Sequence, residues 1–346
     1  MPAKPLAHED LAHVLEHARD SFASLRGARL FITGGTGFFG HWLLESLLHA
    51  NRELALNIRA TVLTRNPASF AAKSPHIAAD PALTFLAGDI ATFAFPTEPH
   101  THILHAATDS TGSQTSLAPG ELAASILAGT QHVLDFAQHT AAQRLLYTST
   151  GAVYGRSTTL LHTPETYPDT NPVLLPPDSY EDAKRQAEDL ILQHAALNPV
   201  IARCFAFVGP HLPLDQHFAI GNFIGSAISN TPIHIKGDGT PRRSWLYMAD
   251  LAIWLWTMLA NPTSSTAYNV GSDEGMTIAE AAHRAAAILN PKLPIQIDGV
   301  PNPAASLNSY VPEITLAKQE LNLSVTIPFA EALRRTAKWH GFTPRH

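Results

Sequence analysis

Tyr180 and Lys184 are the two residues whose types and spacing bear most directly on chemistry. They lie four positions apart in the segment YEDAK, and residues four apart share one face of a helix. A lysine ammonium beside a phenol favours the phenolate, so it lowers the pKa of the tyrosine towards the operating pH. Tyr180 would then be a usable proton acceptor. Because this spacing also occurs on ordinary exposed helices, its interpretation depends on the rest of the chain.

A glycine-rich segment, residues 33–40 with the sequence TGGTGFFG, supplies that support. It follows the apolar run ARLFIT and leads directly into HWLLESLLHA. Glycines at such a turn let the backbone approach a pyrophosphate, and the N-terminus of the next helix offers N–H donors and the positive end of its dipole. The placement between a strand and a helix predicts a dinucleotide site. Its predicted contacts are Gly34, Gly37, Phe38, Phe39 and Gly40.

The form of the dinucleotide depends on the end of the second strand. An acid there binds the 2′-hydroxyl of NAD, whereas an arginine accommodates the 2′-phosphate of NADP. This chain has Thr64 and Arg65 and no acid, a pattern that by itself leans towards NADP. Because an arginine after a strand is often only a surface residue, we still expect NAD and leave NADP open. Asp89, after the third strand, is expected to accept a hydrogen bond from the adenine amino group, with a turn-capping carboxylate as the alternative.

The elements that position these residues alternate along the first two thirds of the chain. Apolar runs separated by helical stretches are typical of a parallel, doubly wound α/β sheet of the Rossmann type. Strands are predicted at 28–33, 58–64, 83–88, 101–107, 144–150 and 199–207, and helices at 39–50, 121–139 and 180–197.

Beyond Gly209 the pattern loosens and prolines become frequent, which indicates a smaller, irregular α/β region. We therefore predict an N-terminal helical extension (1–26), a dinucleotide-binding domain (27–209) and a C-terminal substrate-binding region (210–346) whose segments interleave with the first domain.

Composition excludes several classes of function. With 45% hydrophobic and 15% charged residues the chain is globular, and a net charge of −6 without a basic cluster disfavours nucleic acid and anionic membranes as partners. The longest apolar run, 251–260, is about half a membrane span and predicts a buried helix. A single cysteine, Cys204, and a charged N-terminus without an export signal favour a cytoplasmic location. The 19 histidines show no metal-ligand spacing, so no metal is expected.

Taken together, these motifs resemble the extended short-chain dehydrogenase/reductases, specifically the NAD-dependent epimerase/dehydratase family that modifies nucleotide sugars. The glycine motif, Asp89, the segment HAA at 105–107, the strand end before VYG and the YxxxK pair occur in the family's order. The resemblance continues through 203–210 and 237–245 to the segment YNVG at 268–271. It spans about Gly27 to Trp339, nearly the whole chain.

The resemblance implies roles for particular residues. Tyr180 would be the general base, Lys184 would hold the nicotinamide ribose, and Thr150 would bind the sugar hydroxyl that is oxidised. Hydride would pass from sugar C4 to the nicotinamide, giving a 4-keto sugar. Arg243 would contact the diphosphate, and Asn222 the nucleotide, with a helix cap as the alternative for Asn222. Further implied contacts are Ile90, Ala106 and Ala107 for the cofactor and Thr108 for the substrate. Family members commonly form homodimers through the helices near 121–139 and 180–197, and we expect one here.

Departures from the family pattern bear on the reaction. The 4,6-dehydratases carry an Asp-Glu pair after the catalytic threonine and the UDP-glucuronate decarboxylases a glutamate, where this chain has Gly151 and Ala152. Ala206 and Ile126 replace family asparagines, and residues 301–313 contain no arginine for the diphosphate.

We therefore predict 4-epimerisation, which needs no acid beyond the threonine, tyrosine and lysine, with reduction of a keto sugar by NADPH as the alternative. Dehydration and decarboxylation are disfavoured. A non-catalytic dinucleotide sensor is a more remote alternative, since it would not be expected to keep both Tyr180 and Lys184.

Overall fold

A computed structural model describes residues 2–107, 119–155, 160–167, 175–215, 218–261 and 266–343. The chain divides into two compact units, each assembled from separate stretches of sequence. The first comprises Met1–Val153, Leu174–Arg203 and Ala252–Tyr268, and the second Tyr154–Val173, Cys204–Leu251 and Asn269–His346.

The helices of the described residues are α1 (His8–His17), α2 (Arg19–Ser24), α3 (Phe38–Glu53), α4 (Pro67–Lys73), α5 (Pro75–Ala78), α6 (Pro119–His139), α7 (Tyr180–Leu192), α8 (Ala219–Ser229), α9 (Met248–Ala260), α10 (Ile278–Leu289), α11 (Thr315–Leu321) and α12 (Phe329–Trp339). The strands are β1 (Arg29–Thr33), β2 (Arg59–Thr64), β3 (Leu83–Ala87), β4 (His102–His105), β5 (Arg144–Thr150), β6 (Pro199–Cys204), β7 (Phe207–Val208), β8 (Ile233–Ile235), β9 (Arg242–Arg243), β10 (Leu246–Tyr247), β11 (Ala267–Val270), β12 (Met276–Thr277), β13 (Ile295–Ile297) and β14 (Ser309–Tyr310). Among these helices none is both long and apolar enough to cross a bilayer.

The main sheet has seven strands in the order β11-β6-β5-β4-β1-β2-β3. The pairings from β5 through β4, β1 and β2 to β3 are parallel. The direction of winding reverses between β1 and β4, and ligands of open α/β sheets bind at such a switch point, outside the carboxyl ends of the strands. This confirms the predicted Rossmann-type fold and places the segments after Thr33 and His105 side by side.

The core of the first unit lies between this sheet and the helices α6 and α7. All seven residues of β5 are buried, as expected of a parallel strand covered on both faces. The apolar face of α6 supplies Ile126, Val133, Leu134 and Phe136 to the same core. Because these four side chains pack within their own chain, they are used by the fold itself.

The N-terminal extension packs on the dinucleotide unit through buried side chains such as Val14 and Phe22. The Leu6 N–H donates to Glu45 Oε2 on α3 at 2.9 Å. Burial raises the pKa of the Glu45 carboxyl. His8, His13 and His17 of α1 are exposed or half-buried. The described residues contain no group of side chains arranged to hold a metal ion.

The main differences from the sequence prediction concern three elements. Helix α7 ends at Leu192 instead of Leu197, because a short 3-10 turn follows and Asn198 takes a left-handed conformation with φ 42°. The predicted strand 199–207 is interrupted after Cys204. The seventh strand, β11, was not predicted, since its four residues are too short a run to show a period.

The second unit is built from short strands and helices. Helix α10 begins with a capping box in which Thr277 and Glu280 exchange side-chain to backbone hydrogen bonds, and it packs against α8 and α12. A three-stranded sheet, β12-β9-β14, pairs Arg243 with Met276 on one side and with Tyr310 on the other. This sheet fixes the position of Arg243.

Candidate active site

Two glycines of the segment 33–40 are required by the protein's own packing. Gly34 has φ +73°, and a Cβ there would lie 2.5 Å from the carbonyl carbon of Ala106. A Cβ on Gly40 would lie 2.1 Å from the carbonyl carbon of Gly35. Glycine is therefore needed for the turn after β1 and for seating α3 against it.

Gly37 differs, because its own chain leaves room for a side chain. A Cβ there would meet only the Gly34 carbonyl oxygen, at an ordinary 3.5 Å. Gly37 is the N-cap of α3, and the first backbone N–H bonded back into the helix is that of His41. The N–H groups of Phe38, Phe39 and Gly40 precede it and point out of the helix end, where an anion is favoured. This geometry fits the pyrophosphate of a dinucleotide.

Thr33 joins the ends of β1 and β4. Its hydroxyl oxygen accepts hydrogen bonds from the Ala106 and Ala107 N–H groups at 3.1 and 3.0 Å, and it bonds His105 Nδ1 at 2.8 Å. Burial, together with the nearby charge of Lys184, lowers the pKa of His105 to about 3, so this imidazole is neutral. His105 is therefore a structural hydrogen-bonding residue at the floor of the predicted cofactor site.

The ends of β2 and β3 carry the residues predicted to contact the adenosine. Thr64 is half-buried and Arg65 is exposed, while Asn66 caps α4 by accepting from the Ser69 N–H at 2.9 Å. Asp89 is exposed, and its Oδ1 accepts from the Ala91 N–H at 2.9 Å. The turn-capping alternative for Asp89 is thus observed.

Tyr180 and Lys184 begin α7, and Ser179 caps the helix by accepting from the Asp182 N–H at 3.2 Å. Lys184 is 1% exposed, and its Nζ donates to the Thr148 carbonyl at 2.7 Å. The same ammonium lies 4.1 Å from the centroid of the Tyr147 ring. Burial raises the pKa of Tyr147, so its ring stays neutral beneath the lysine. The Lys184 side chain is therefore held inside the unit, next to the end of β5.

Thr150 is the last residue of β5 and is 8% exposed. Its hydroxyl oxygen accepts from the Ala152 N–H at 3.2 Å, within the 3-10 turn Gly151–Tyr154. The absence of side-chain carboxylates at Gly151 and Ala152 follows directly from the sequence.

A buried cluster next to these residues was missed by the sequence reasoning. Glu188, 2% exposed, accepts from the Ser149 hydroxyl and from Arg203, whose Nη2 and Nε lie 2.7 and 3.0 Å from Glu188 Oε2. The available signal was spacing, since Glu188 follows Lys184 by four residues and therefore shares its helix face.

Among the predicted substrate residues, Arg243 and Asn222 belong to the second unit. Arg243 Nη1 donates to the Arg242 carbonyl at 2.7 Å and to Asn308 Oδ1 at 3.1 Å, and its guanidinium carbon lies 5.8 Å from the Tyr310 ring. Burial lowers the pKa of Arg243. Asn308 and Tyr310 were not predicted, because β14 is only two residues long.

Asn222 is exposed inside α8, whose N-cap is Phe218, so the helix-cap alternative for Asn222 is wrong. Thr108 lies outside the described residues.

The strand order brings most of the predicted residues to one end of the sheet. The turns after β1, β2, β3 and β4, together with the end of β5, all lie at the carboxyl edge. A glycine turn opening a helix at the switch point of a parallel sheet defines a dinucleotide-binding α/β protein of the Rossmann class.

Comparison with known proteins makes the assignment more specific. Residues 30–271 match the model of the NAD dependent epimerase/dehydratase family, and the chain belongs to this family. The chain is 28% identical over 316 residues to UDP-glucuronic acid decarboxylase 1 of Arabidopsis thaliana, covering 89% of this chain and 68% of the relative.

Two solved structures share the fold over nearly the whole chain. An epimerase from Methanothermobacter thermautotrophicus has a TM-score of 0.76 at 23% identity, covering 94% of this chain and 96% of the other. A dTDP-glucose 4,6-dehydratase from Streptomyces venezuelae, solved with NAD bound, has a TM-score of 0.75 at 22% identity, covering 90% and 97%. The predicted family resemblance is confirmed.

Proposed function

We propose that this protein is an NAD(P)-dependent nucleotide-sugar epimerase that works through a 4-keto intermediate. The observation that carries the proposal is which residues stand at the end of β5 and on the face of α7 that bears Lys184. Thr150, Tyr180 and Lys184 are present, whereas the two positions after Thr150 are Gly151 and Ala152. Thr150, Tyr180 and Lys184 can transfer the proton of a single hydroxyl. Elimination of water needs a paired acid and base, and Gly151 and Ala152 provide neither.

The nearby carboxylates support this proposal. Glu188 is engaged by Ser149 and Arg203. Asp182 accepts from the Gln186 side chain at 2.8 Å and lies 3.6 Å from Arg185. Such first-turn charges stabilise the start of a helix through its dipole. Because both carboxylates are engaged within the protein, we favour epimerisation over the dehydratase and decarboxylase reactions of the relatives.

In the proposed mechanism, Thr150 orients the 4-hydroxyl of the sugar and the Tyr180 oxygen takes its proton. Lys184, held by the Thr148 carbonyl and the Tyr147 ring, keeps a positive charge beside Tyr180 and favours its phenolate. A bound NAD would supply the hydride chemistry at sugar C4, as acceptor in the oxidation and as donor to the opposite face of the 4-keto sugar. Tyr180 then gives the proton back to the new 4-hydroxyl, so atoms and charge balance over the cycle.

The cofactor is proposed to lie across the carboxyl edge of the sheet. Its pyrophosphate would bind the helix N-terminus at Gly37–Gly40, its adenine Asp89 and Ile90, and its adenosine ribose Thr64 and Arg65. Ala106 and Ala107 would contact the central part of the dinucleotide, and Tyr180 and Lys184 the nicotinamide ribose. In the second unit, Arg243 would bind the diphosphate of a nucleotide sugar, since a guanidinium fork matches phosphate oxygens. Asn222 and Thr108 are proposed as further substrate contacts. We also propose a cytoplasmic homodimer.

A keto-sugar reductase using exchangeable NADPH is the second candidate, and Arg65 is the observation that favours it. Arg65 is exposed at the end of β2, its neighbours in the sequence are not acidic, and Asn66 is engaged in capping α4. A guanidinium in this position suits a 2′-phosphate.

Cofactor content and cofactor dependence separate the two candidates. The purified protein is assayed with a panel of UDP-, dTDP-, GDP- and CDP-sugars, with and without added dinucleotide. An epimerase is expected to carry bound NAD and to turn over without any addition. A requirement for added NADPH would instead establish the reductase.

Tyr180→Phe tests the catalytic assignment directly. Loss of the general base is expected to lower kcat by about 10²- to 10⁴-fold. Dinucleotide binding and thermal unfolding serve as controls and are expected to stay close to wild type. Full turnover by this variant would exclude Tyr180 as the base.

A further inference from the structure

The buried Glu188–Arg203 pair is the feature beside the proposed site that the mechanism does not use. Arg203 lies on β6 and Glu188 on α7, and their side chains are 14% and 2% exposed. Three contacts join them: Arg203 Nη2 to Glu188 Oε2 at 2.7 Å, Nε to Oε2 at 3.0 Å and Nε to Oε1 at 3.3 Å. Removing two charges from water is costly, so such a pair is weak evidence for stability alone.

Glu188 shares a helix face with the proposed catalytic residues. Tyr180, Lys184 and Glu188 follow one another at intervals of four along α7, so their side chains lie on one stripe. Lys184 and Glu188 are both buried. A lysine and a glutamate at this spacing normally attract one another, yet Lys184 Nζ instead donates to the Thr148 carbonyl and lies over the Tyr147 ring.

We propose that Arg203 is a positioning residue that neutralises Glu188, so that the charge of Lys184 acts on Tyr180 instead of being paired along the helix. This inference rests on the proposed function of Tyr180 and Lys184. Glu188 also connects α7 to the end of β5, because it accepts a hydrogen bond from the hydroxyl of Ser149, the residue before Thr150. Arg203 and Glu188 thereby set both the charge at Tyr180 and the position of the strand end.

Other ionisable groups around this stripe do not replace Arg203. From β5, Tyr147 is kept neutral by burial, which raises its pKa. From β4, His105 is neutral because burial lowers its pKa. On α6, Glu121, Asp135 and His139 are exposed and His132 packs against Phe93 and Phe95. On α7 itself, Glu181, Asp182 and Arg185 lie in the first turns and are half-buried.

The test measures the ionisation of Tyr180 without substrate or cofactor. Near-ultraviolet tyrosinate absorbance is titrated against pH, and the titration of the same protein carrying Tyr180→Phe is subtracted. Arg203→Met leaves the Glu188 carboxylate to compete for Lys184, so the Tyr180 transition is expected to move up by about one pH unit or more. Glu188→Gln leaves an unpaired guanidinium, so the transition is expected to stay or move down.

The different responses expected of the two variants distinguish this charge effect from a merely structural one. Loss of packing would displace the transition in the same direction in both variants. Arg203→Lys, which restores the cation, and the double variant Glu188→Gln/Arg203→Met, which removes both charges, are each expected to titrate close to wild type. The double variant also guards against misfolding, because it leaves no buried charge unpaired.

Arg335→Met is the matched control, since it breaks an arginine–glutamate pair of 2.9 Å on α12. It is expected to leave the Tyr180 transition unchanged. An equal shift in the Arg203 and Glu188 variants, or no shift in either, overturns the inference.

Turnover assays then separate the inference from the proposed function. If Tyr180 titrates as expected but no sugar nucleotide is epimerised, the proposed function fails and the role of Arg203 stands. If turnover is present, kcat is measured against pH. In Arg203→Met the fall of kcat on the low-pH side is expected to shift to higher pH by the same amount as the tyrosinate transition, with little change in KM. An unshifted fall would overturn the inference while leaving the proposed function intact.

Discussion

Gly37→Ala separates the glycine that we assign to the cofactor from the glycines that the fold requires. The added Cβ would lie 3.5 Å from the Gly34 carbonyl oxygen, an ordinary van der Waals contact. The backbone at Gly37, with φ −92° and ψ −167°, is extended and open to alanine. Replacing glycine by alanine at an N-cap lowers the free energy of unfolding by about 0.5–1 kcal/mol. The same replacement reduces the conformational entropy of the unfolded chain, which raises the free energy of unfolding by a similar amount. The free energy of unfolding is therefore expected to change by less than about 1 kcal/mol.

The effect on dinucleotide binding is expected to be much larger. A methyl group at Gly37 would be added at the N-terminus of α3, where the pyrophosphate is proposed to lie against the Phe38 and Phe39 N–H groups. Losing one or two charge-assisted hydrogen bonds, each worth about 1.5–3 kcal/mol, weakens binding by about 3 kcal/mol. This corresponds to a rise in Kd of about 150-fold.

Isothermal titration of the cofactor-free protein with NAD measures this rise, and thermal unfolding without ligand measures stability. Gly120→Ala is the control, because a Cβ there meets no atom within 4 Å and α6 carries no proposed cofactor contact at that point. Gly40→Ala is expected to lose stability as well as binding, since its Cβ would lie 2.1 Å from Gly35. Wild-type affinity for NAD in a folded Gly37→Ala protein would refute the proposed pyrophosphate site.

Two further predictions concern the residues that support the site. His105 is neutral when folded because its pKa is lowered to about 3, whereas the unfolded chain binds a proton near pH 6.5. Its contribution to stability is therefore complete above pH 6.5 and is lost at about 1.4 kcal/mol per pH unit as the pH falls towards 3. Chemical denaturation is expected to show wild type losing about 2 kcal/mol more than His105→Gln between pH 7 and 5, and parallel curves would contradict this. Asn66→Ala removes the cap of α4, and urea titration is expected to show a loss of about 1 kcal/mol. Unchanged stability would mean that the Asn66–Ser69 hydrogen bond contributes nothing measurable.

Local features of the sequence were sufficient to predict the first six strands of the main sheet. Buried parallel strands such as β5 contain apolar runs, and β1, β2 and β4 are each followed by a helix. The end of α7 and the strand β11 were not predictable in the same way. Asn198 ends the 3-10 turn that follows α7 in a left-handed conformation that only the fold imposes, and β11 is defined by pairing with a distant strand.

The residue types and spacings by themselves determined the family, the glycine turn, and the pairing of Tyr180 with Lys184 on one helix face. These features are local, because turns and helices place residues a few positions apart in known relation. Only the tertiary structure decided which glycines serve the fold and which leaves room for a ligand. It alone brought Arg203 and Ser149 to Glu188, and Asn308 to Arg243. Such contacts join side chains that are distant in sequence, and they exist only once strands and helices have packed.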